Sequence, residues 1–185
     1  MELITTPLKD CFVIKPAVFD DPRGYFFESF NELRFNELTG TNTHFVQDNQ
    51  SFSSYGVLRG LHFQKGAHAQ AKLVRVLQGE VLDVAVDLRK ESPTFGQHFT
   101  VVLSAQNKLQ LFIPRGFAHG FVVLSQEAEF FYKCDNYYHK EAEGGILYND
   151  ADLGIDWQLP AQDIQVSEKD KLNLSLNQVL EAVYE

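Results

Sequence analysis

The stretch Val81-Leu82-Asp83-Val84-Ala85-Val86-Asp87-Leu88 decides the fold class of this chain. Its even positions are all apolar and share one face, whereas its odd positions share the other face and include two carboxylates, Asp83 and Asp87. A repeat of two residues is the period of a β-strand. The stretch therefore predicts a strand, and its two carboxylates either line a pocket or face water.

Similar β-branched or aromatic runs follow at short intervals, and clusters of Gly, Pro, Asn and Ser separate them. They lie at residues 73–77, 99–103, 109–113, 120–124 and 130–133. Many short strands with turn signals between them predict a sandwich or a barrel, and Gly79-Glu80 is the turn at which one pair of strands should bend.

Helical patterns are confined to the margins of the chain. Residues 30–39 have apolar residues near helical spacing, with Asn31 as a starting residue and Gly40 as a stop. The tail from residue 172 to 183 predicts a packing helix. Its apolar stripe consists of Leu172, Leu176, Val179, Leu180 and Val183.

Size and charge limit the class of protein. A chain of 185 residues fits one domain, with a core at about residues 40–160 and a helical tail at about 170–185. Its formal charge of −9 disfavours nucleic-acid binding, which needs a broad basic face. The sequence has neither a signal-peptide pattern nor an apolar run of the ~18 residues that span a membrane, so we expect a cytoplasmic protein. Cys11 and Cys134 lack metal-site or disulfide spacing and are expected to be buried free thiols.

Two motifs contain the histidines of greatest interest. Residues Arg59-Gly60-Leu61-His62-Phe63-Gln64 and the segment 114–121, Pro-Arg-Gly-Phe-Ala-His-Gly-Phe, each resemble one half of the cupin signature. This resemblance implies an all-β, cupin-type jelly-roll β-barrel with short flanking helices. Gln64 stands where the second His of the metal pattern belongs. His62 and His119 alone are too few ligands for a stable metal site, so we expect no metal and assign both to acid–base work.

Nearly the whole chain, from about residue 5 to 172, resembles the dTDP-4-dehydrorhamnose 3,5-epimerases. The ordered segments that carry the resemblance are residues 21–28, 45–49, 58–64, 71–76, 79–87, 92–96, 114–121, 128–133 and 148–150. Arg115 and Tyr148 depart from the Glu and Trp that other members often carry, and they put only the rim of the pocket in doubt.

The resemblance implies a reaction and a set of residues. In this family, dTDP-4-dehydro-6-deoxy-D-glucose is converted to dTDP-4-dehydro-L-rhamnose by proton removal and return at C3 and C5, without a cofactor. By resemblance His62 is the base with Asp170 behind it, Tyr132 is the acid, and Lys72 stabilises the enolate. The implied substrate-binding residues are Arg23, Glu28, Gln47, Asn49, Arg59, His119, Tyr138, Glu143 and Lys169.

The resemblance also implies a homodimer whose N-terminal segment crosses to its partner. Two alternatives stay open at this point. The chain could invert only C3 or only C5 of a dTDP-ketosugar from another deoxysugar pathway, or it could be a sugar-binding cupin without catalysis. The presence of His62, Asp170, Tyr132 and Lys72 together disfavours the second alternative.

Overall fold

Strands dominate the computed structural model, which describes residues 1–184, with the backbone alone for residues 183 and 184. The strands are β1 (Glu2–Thr5), β2 (Phe12–Lys15), β3 (Phe19–Asp21), β4 (Gly24–Phe26), β5 (Gln47–Ser54), β6 (Val57–Gln64), β7 (Lys72–Gln78), β8 (Glu80–Asp87), β9 (His98–Ser104), β10 (Gln110–Ile113), β11 (Phe117–Val123), β12 (Glu127–Cys134), β13 (Glu143–Gly145) and β14 (Gln165–Val166). The two α-helices are α1 (Glu32–Thr39) and α2 (Leu176–Tyr184). Within these residues no helix is long and apolar enough to cross a membrane.

Two sheets pack face to face. The first has the strand order β1-β2-β10-β7-β12-β5, and the second has the order β13-β6-β11-β8-β9, with β14 pairing in parallel to β6. The residues of the main apolar cluster come from both sheets, so the core lies between them. The all-β, cupin-type jelly roll expected from the sequence is confirmed. Among the described strands, each sheet is hydrogen-bonded separately, so the barrel is a two-layer jelly roll and not one closed sheet.

The strand predicted from alternation is β8, and every residue after Glu80 in it is buried. Val81 and Ala85 pack into the core between the sheets, whereas Leu82, Val84 and Val86 join a second apolar cluster. This second cluster includes the C-terminal residues Leu153, Trp157, Leu176 and Val179, which cover the outer face of the second sheet.

Neither carboxylate of this strand faces water, because Asp83 and Asp87 are both 0% exposed. Asp87 accepts hydrogen bonds from Arg89, Ser92 and Thr94 near the end of the strand. Asp83 has a different partner, which belongs to the cavity described below.

The bend expected at Gly79 carries the chain from the first sheet to the second. Gly79 has φ 77° and connects β7 directly to β8. Positive φ at this point favours glycine. A Cβ here would also collide with the carbonyl oxygen of Glu127 and lie close to Oγ of Ser125.

Helix α1 starts and stops at the residues that the sequence indicated. The side chain of Asn31 accepts a hydrogen bond from the backbone N–H of Arg34, and Gly40 ends the helix at φ 68°. The buried face of α1 packs Phe35 against Phe112, with a ring-centroid distance of 5.1 Å. The helix therefore covers one end of the outer face of the first sheet.

The C-terminal prediction needs a correction. Helix α2 begins only at Leu176, and Leu172, which was expected on the packing stripe, is 83% exposed. Residues Asp170–Leu172 form a 3-10 turn, and the extended chain that follows pairs Leu174 with Ile146, so Leu172 is turned towards solvent. Leu176 and Val179 are buried as expected, whereas the side chain of Val183 and the whole of Glu185 lie outside the described residues.

Both cysteines are buried free thiols, as predicted. Burial raises the pKa of Cys11 to about 12 and that of Cys134 to about 11.

The close packing at the sheet-to-sheet bend predicts a large effect of one methyl group. Gly79→Ala should lower the free energy of unfolding by more than ~3 kcal/mol, because it adds a backbone collision to the strain of positive φ. Gly96→Ala is the matched control, since Gly96 has φ +73° but open space around its Cβ position. It should cost only about 1–2 kcal/mol. Urea unfolding measures both variants, and equal losses would contradict the collision.

Candidate active site

A cavity of about 640 Å³ opens between the two sheets. Eight of the residues predicted for the site line it: Asn49, Arg59, His62, Lys72, His119, Tyr132, Lys169 and Asp170. They come from β5, β6, β7, β11, β12 and the segment before α2, so residues far apart in sequence meet on one surface. Other lining residues include Gln50, Ser51, Phe121, Phe130, Gln165 and Ser167, which sequence reasoning did not select.

His62 and Asp170 form a hydrogen-bonded pair at the cavity wall. Nε2 of His62 lies 2.7 Å from Oδ1 of Asp170, and the His62 side chain is 32% exposed. Burial by itself would raise the pKa of Asp170, but the hydrogen bond and charge of His62 outweigh it, so the net pKa is lowered. A carboxylate beside Nε2 accepts a hydrogen bond from the N–H of that nitrogen. The neutral ring then has its lone pair on Nδ1.

Asp170 is held in place from two sides. Its backbone N–H donates to Oγ of Ser167, at 3.1 Å, and its Oδ2 accepts from the backbone N–H of Gly60, at 3.4 Å. These contacts fix the 3-10 turn that carries Asp170 against strand β6.

Strands β6 and β11 approach each other unusually closely beside His62. A Cβ on Gly60 would lie 2.6 Å from the Cα of Gly120, and a Cβ on Gly120 would lie 2.8 Å from the carbonyl oxygen of Arg59. The register places His62 opposite His119, with an irregularity between His119 and Phe121. The two glycines of the sequence motifs therefore bring the two histidines side by side.

His119 has a carboxylate partner of its own. Its Nε2 lies 3.0 Å from each of the two carboxylate oxygens of Asp83, and both side chains are buried. Burial lowers the pKa of His119 despite the opposing effect of Asp83. Sequence reasoning left Asp83 undecided, although an acid on the inward face of a barrel strand needs a buried partner.

Lys72 and Tyr132 lie on neighbouring strands of the opposite sheet. The Nζ atom of Lys72 is 5.8 Å from the centroid of the Tyr132 ring. Burial lowers the pKa of Lys72 and raises that of Tyr132. The phenol is therefore kept in its protonated form near neutral pH.

Arg59 is oriented by neutral partners at the mouth of the β5–β6 hairpin. Its Nε donates to Oγ of Ser53 at 3.0 Å, and its Nη2 donates to the carbonyl oxygen of Phe52 at 3.4 Å. Neither partner neutralises the guanidinium charge, so that charge is available to an anion in the cavity.

Five predicted binding residues form one chain of hydrogen bonds along the rim. Lys169 Nζ donates to Glu143 at 2.7 Å, and the Tyr138 hydroxyl donates to the other oxygen of Glu143 at 3.0 Å. The side chain of Gln47 accepts from the Tyr138 backbone N–H and donates to Asn49, both at 3.1 Å. Glu143 also lines a recess of about 310 Å³ that shares His62 and Lys169 with the main cavity.

Arg23 and Glu28 do not reach this cavity within one chain. Arg23 is 89% exposed and pairs with Asp21 at 2.6 Å in the β3–β4 ribbon. Glu28 pairs with Arg34 at 3.1 Å, next to helix α1. Arg115, one of the departures from the family pattern, pairs with Asp135 at 2.8 Å and does not line the cavity.

The residues around His62 do not make up a metal-binding set. The Oε1 atom of Gln64 accepts a hydrogen bond from the backbone N–H of His139, at 2.8 Å, which ties it to a loop. Across residues 1–184 no three His, Cys, Asp or Glu side chains come together as metal ligands do.

The fold and the cavity define a class: a cupin-type jelly roll whose interior holds a carboxylate-oriented imidazole, a phenol and an ammonium group. A family model for dTDP-4-dehydrorhamnose 3,5-epimerase matches residues 5–178. The chain therefore belongs to the dTDP-4-dehydrorhamnose 3,5-epimerase family, as the sequence motifs indicated.

Individual relatives agree with this assignment. The chain is 56% identical over 183 residues to the dTDP-4-dehydrorhamnose 3,5-epimerase of Salmonella typhimurium, covering 97% of this chain and 98% of that one. The crystal structure of the same enzyme from Elizabethkingia anophelis is 62% identical, with a TM-score of 0.94 over 96% of this chain and 97% of that one. A dTDP-6-deoxy-D-glucose-3,5-epimerase from Legionella pneumophila, solved in complex with dTDP-4-keto-L-rhamnose, is 52% identical, with a TM-score of 0.92 over 96% and 94%.

The lowered pKa of Asp170 predicts a pH-dependent contribution to stability. Asp170→Asn should lower the free energy of unfolding by about 1–2 kcal/mol at pH 6. A depressed carboxyl pKa stabilises the fold above the pH at which unfolded Asp titrates, about 4, and this stabilisation is lost as pH falls through the folded pKa. The difference between wild type and variant should therefore shrink at pH 3.

Urea unfolding at the two pH values measures this difference. Glu168→Gln is the control, because its side chain is 89% exposed and lies two residues away. It should change stability by less than ~0.5 kcal/mol at either pH. A difference for Asp170→Asn that is equal at pH 6 and pH 3 would contradict the lowered pKa of Asp170.

Proposed function

We propose that this chain converts dTDP-4-dehydro-6-deoxy-D-glucose to dTDP-4-dehydro-L-rhamnose by inverting C3 and C5, as a step of dTDP-L-rhamnose biosynthesis. The observation that carries the proposal is the cavity between the sheets in which the His62–Asp170 pair, Tyr132 and Lys72 meet. Family membership supports it, as does the ketosugar nucleotide bound to the Legionella relative.

The chemistry needs a base beside a carbonyl-activated C–H bond. The C4 ketone of the substrate makes the hydrogens on C3 and C5 acidic, because the resulting carbanion is delocalised into an enolate. His62 is the base, acting through the nitrogen that Asp170 leaves unprotonated. Asp170 then stabilises the imidazolium that forms.

Inversion needs a proton from the opposite face of the sugar. Tyr132 is the donor in this proposal. Its raised pKa keeps the phenol protonated, and an enolate carbon is basic enough to take a proton from it. Without this acid, His62 would return the proton to the face from which it came.

The negative charge of the enolate oxygen needs a fixed positive partner. We assign this part to Lys72, with His119 beside the sugar, since both side chains line the cavity. Such preorganised electrostatic stabilisation is often the largest single contribution to an enzymatic rate. After each inversion His62 releases its proton to water and Tyr132 takes one from water, so the proton transfers balance without a cofactor or a redox step.

The nucleotide end is assigned to the rim. Arg59 and Lys169 bring positive charge to the pyrophosphate, and Arg is suited to phosphate oxygens by its planar fork. Tyr138, 52% exposed, is available for stacking on thymine. Gln47, Asn49 and Glu143 lie in the same hydrogen-bonded chain and complete the set of polar contacts.

We also propose a homodimer in which the β3–β4 ribbon of one chain reaches the cavity of the other. The ribbon lies outside both sheets and exposes three aromatic side chains. Phe19, Tyr25 and Phe26 are 65%, 59% and 70% exposed. Such a patch favours an interface, which would bring Arg23 and Glu28 to the partner's substrate. The two unpaired cysteines are typical of a reducing compartment, which supports the cytoplasm as the location.

An isotope experiment decides how many carbons react. In deuterated water the product should carry deuterium at both C3 and C5, since each carbon must exchange its proton through the enzyme. NMR and mass spectrometry of the product measure the label. Label at one carbon alone, at complete conversion, would identify a single-carbon epimerase. Absence of any exchange would point to a sugar-binding protein.

In the same experiment, a variant of the proposed base and a variant of the proposed acid should lose different steps. His62→Ala should lose proton exchange at both carbons, with a fall in rate of about 10²–10⁴ or more. Tyr132→Phe should keep some exchange at one carbon while it loses most net inversion. Near-normal turnover by His62→Ala would overturn the assignment of the base.

The dimer is tested by size and activity together. At micromolar concentration, light scattering should give the mass of two chains, and Phe26→Asp should shift it towards one chain with loss of activity. Leu33→Asp is the matched control, because Leu33 is also 70% exposed but lies on α1. If the monomer is fully active, the partner's ribbon is not part of the site.

A further inference from the structure

Asp83 is a fully buried carboxylate directly behind the cavity-lining His119, and the proposed mechanism gives it no part. It sits on β8 between Val81 and Ala85, faces the interior, and pairs in register with Phe121. Within residues 1–184 the hydrogen bonds to its carboxylate all come from one atom, Nε2 of His119. A carboxylate in such apolar surroundings, with a single donor, costs free energy that an apolar residue would avoid.

Asp87 shows how the same strand satisfies a carboxylate that serves the fold. It lies on the same face, four residues further along, and is equally buried. It accepts hydrogen bonds from Arg89, Ser92 and Thr94, with distances of 2.6–3.0 Å. Asp83 lacks such a set, so stability alone does not account for an acid at position 83.

The geometry at Asp83 selects one form of His119. Two equal distances of 3.0 Å from Nε2 fit one N–H shared between the two oxygens. Burial lowers the pKa of His119, so the ring is neutral near pH 7, and its second nitrogen, Nδ1, then has a lone pair. In this form His119 accepts a hydrogen bond from a substrate hydroxyl group and cannot donate one from Nδ1.

Asp83 also acts on Lys72. Burial lowers the pKa of Lys72, and the groups that oppose this are Cys134, Asp83 and Glu143. Glu143 is already paired with Lys169 at the rim, and Cys134 is a thiol whose pKa is raised to about 11. Asp83 is therefore the carboxylate among them without a cationic partner, and it lies behind His119, which lines the same cavity as Lys72, so its charge opposes the loss of the Lys72 proton.

We propose that Asp83 is a positioning residue of the site: it fixes His119 as the Nε2–H tautomer and supplies the negative charge that keeps Lys72 an ammonium group. This inference rests on the proposed epimerase function. It explains why an acid is placed inside the barrel, on the wall opposite Lys72 and Tyr132. The His62–Asp170 pair prepares a base, whereas the His119–Asp83 pair prepares a hydrogen-bond acceptor and a counter-charge.

The first test is the pH profile of the full-length enzyme. In Asp83→Asn the alkaline limb of kcat should move to lower pH by about one unit, because Lys72 loses its proton more easily without the nearby charge. We expect kcat at neutral pH to fall by about 10–100-fold, with a smaller change in KM. The other titratable groups facing Lys72 and His119 are Tyr132, Cys134, Glu143 and His62, and they are unchanged in this variant.

Two further variants separate charge from structure. Asp87→Asn makes the same substitution at a buried site outside the cavity, and it should lower stability without moving the alkaline limb. Asp83→Glu keeps the charge and should keep the limb near its wild-type position even where kcat falls. If the alkaline limb of kcat in Asp83→Asn stays at its wild-type pH and only thermal stability falls, the proposal is overturned.

The second test does not depend on activity. In wild-type protein labelled with ¹³C and ¹⁵N in its histidines, NMR should show His119 as the neutral Nε2–H tautomer from pH 6 to 9. A neutral Nδ1–H tautomer, or an imidazolium ring across that range, would overturn the inference, even if Asp83→Asn does not fold. A wild-type protein that shows this tautomer but no epimerase activity would refute the proposed function alone.

Discussion

The close contact of β6 and β11 at Gly60 and Gly120 is the constraint on which the site depends. Because neither residue has a side chain, the two backbones approach until an added Cβ on Gly60 would lie 2.6 Å from the Cα of Gly120. This contact sets the register that places His62 opposite His119. It also presents the N–H of Gly60 to Asp170. The proposed base His62, the second histidine His119 and the carboxylate of Asp170 are thus positioned by one backbone feature between two strands.

The cavity wall places opposite charges on facing sheets. Asp170 lines the cavity from the segment before α2, and Asp83 lies on the second sheet behind His119, whereas Lys72 and Tyr132 come from the first sheet. Each carboxylate is hydrogen-bonded to a histidine, and the ammonium group is left without a direct carboxylate partner in its described contacts. A substrate that develops negative charge in the cavity therefore meets a cation that is not already neutralised. Under the proposed mechanism, this arrangement favours the enolate over the neutral ketone, which is what catalysis requires.

Much of the fold could be predicted from local patterns. The alternation in β8, the turn at Gly79, and both ends of α1 at Asn31 and Gly40 depend on neighbouring residues, so the sequence contains their signal directly. The burial of both faces of β8 could not be predicted, because the residues that cover it arrive about 70 positions later in the chain. The prediction that Leu172 is buried was wrong for a related reason. A 3-10 turn and a long-range bridge replace the expected first helical turn.

The candidate site also has a part that the sequence predicted and a part that depends on contacts between distant residues. Family motifs identified eight of the residues that line the cavity, but they did not identify Asp83, whose proposed role depends on a contact with His119 across two strands. Nor could the sequence show that Arg23 and Glu28 lie away from the cavity of their own chain. Sequence patterns indicate which residues carry chemistry, whereas their grouping depends on strand pairing and on contacts between distant segments.

The rim explains how a chain with a formal charge of −9 can hold an anionic nucleotide. Lys169 is paired with Glu143 at 2.7 Å, so the carboxylate partly neutralises the charge that would attract a phosphate. Arg59 is held by a serine hydroxyl and a backbone carbonyl, which orient the guanidinium group without cancelling its charge. For the phosphate contact proposed above, Arg59 therefore offers the less neutralised charge of the two, and Glu143 holds Lys169 and Tyr138 by hydrogen bonds. Local orientation of a few cations by neutral partners replaces the broad basic face that the composition excludes.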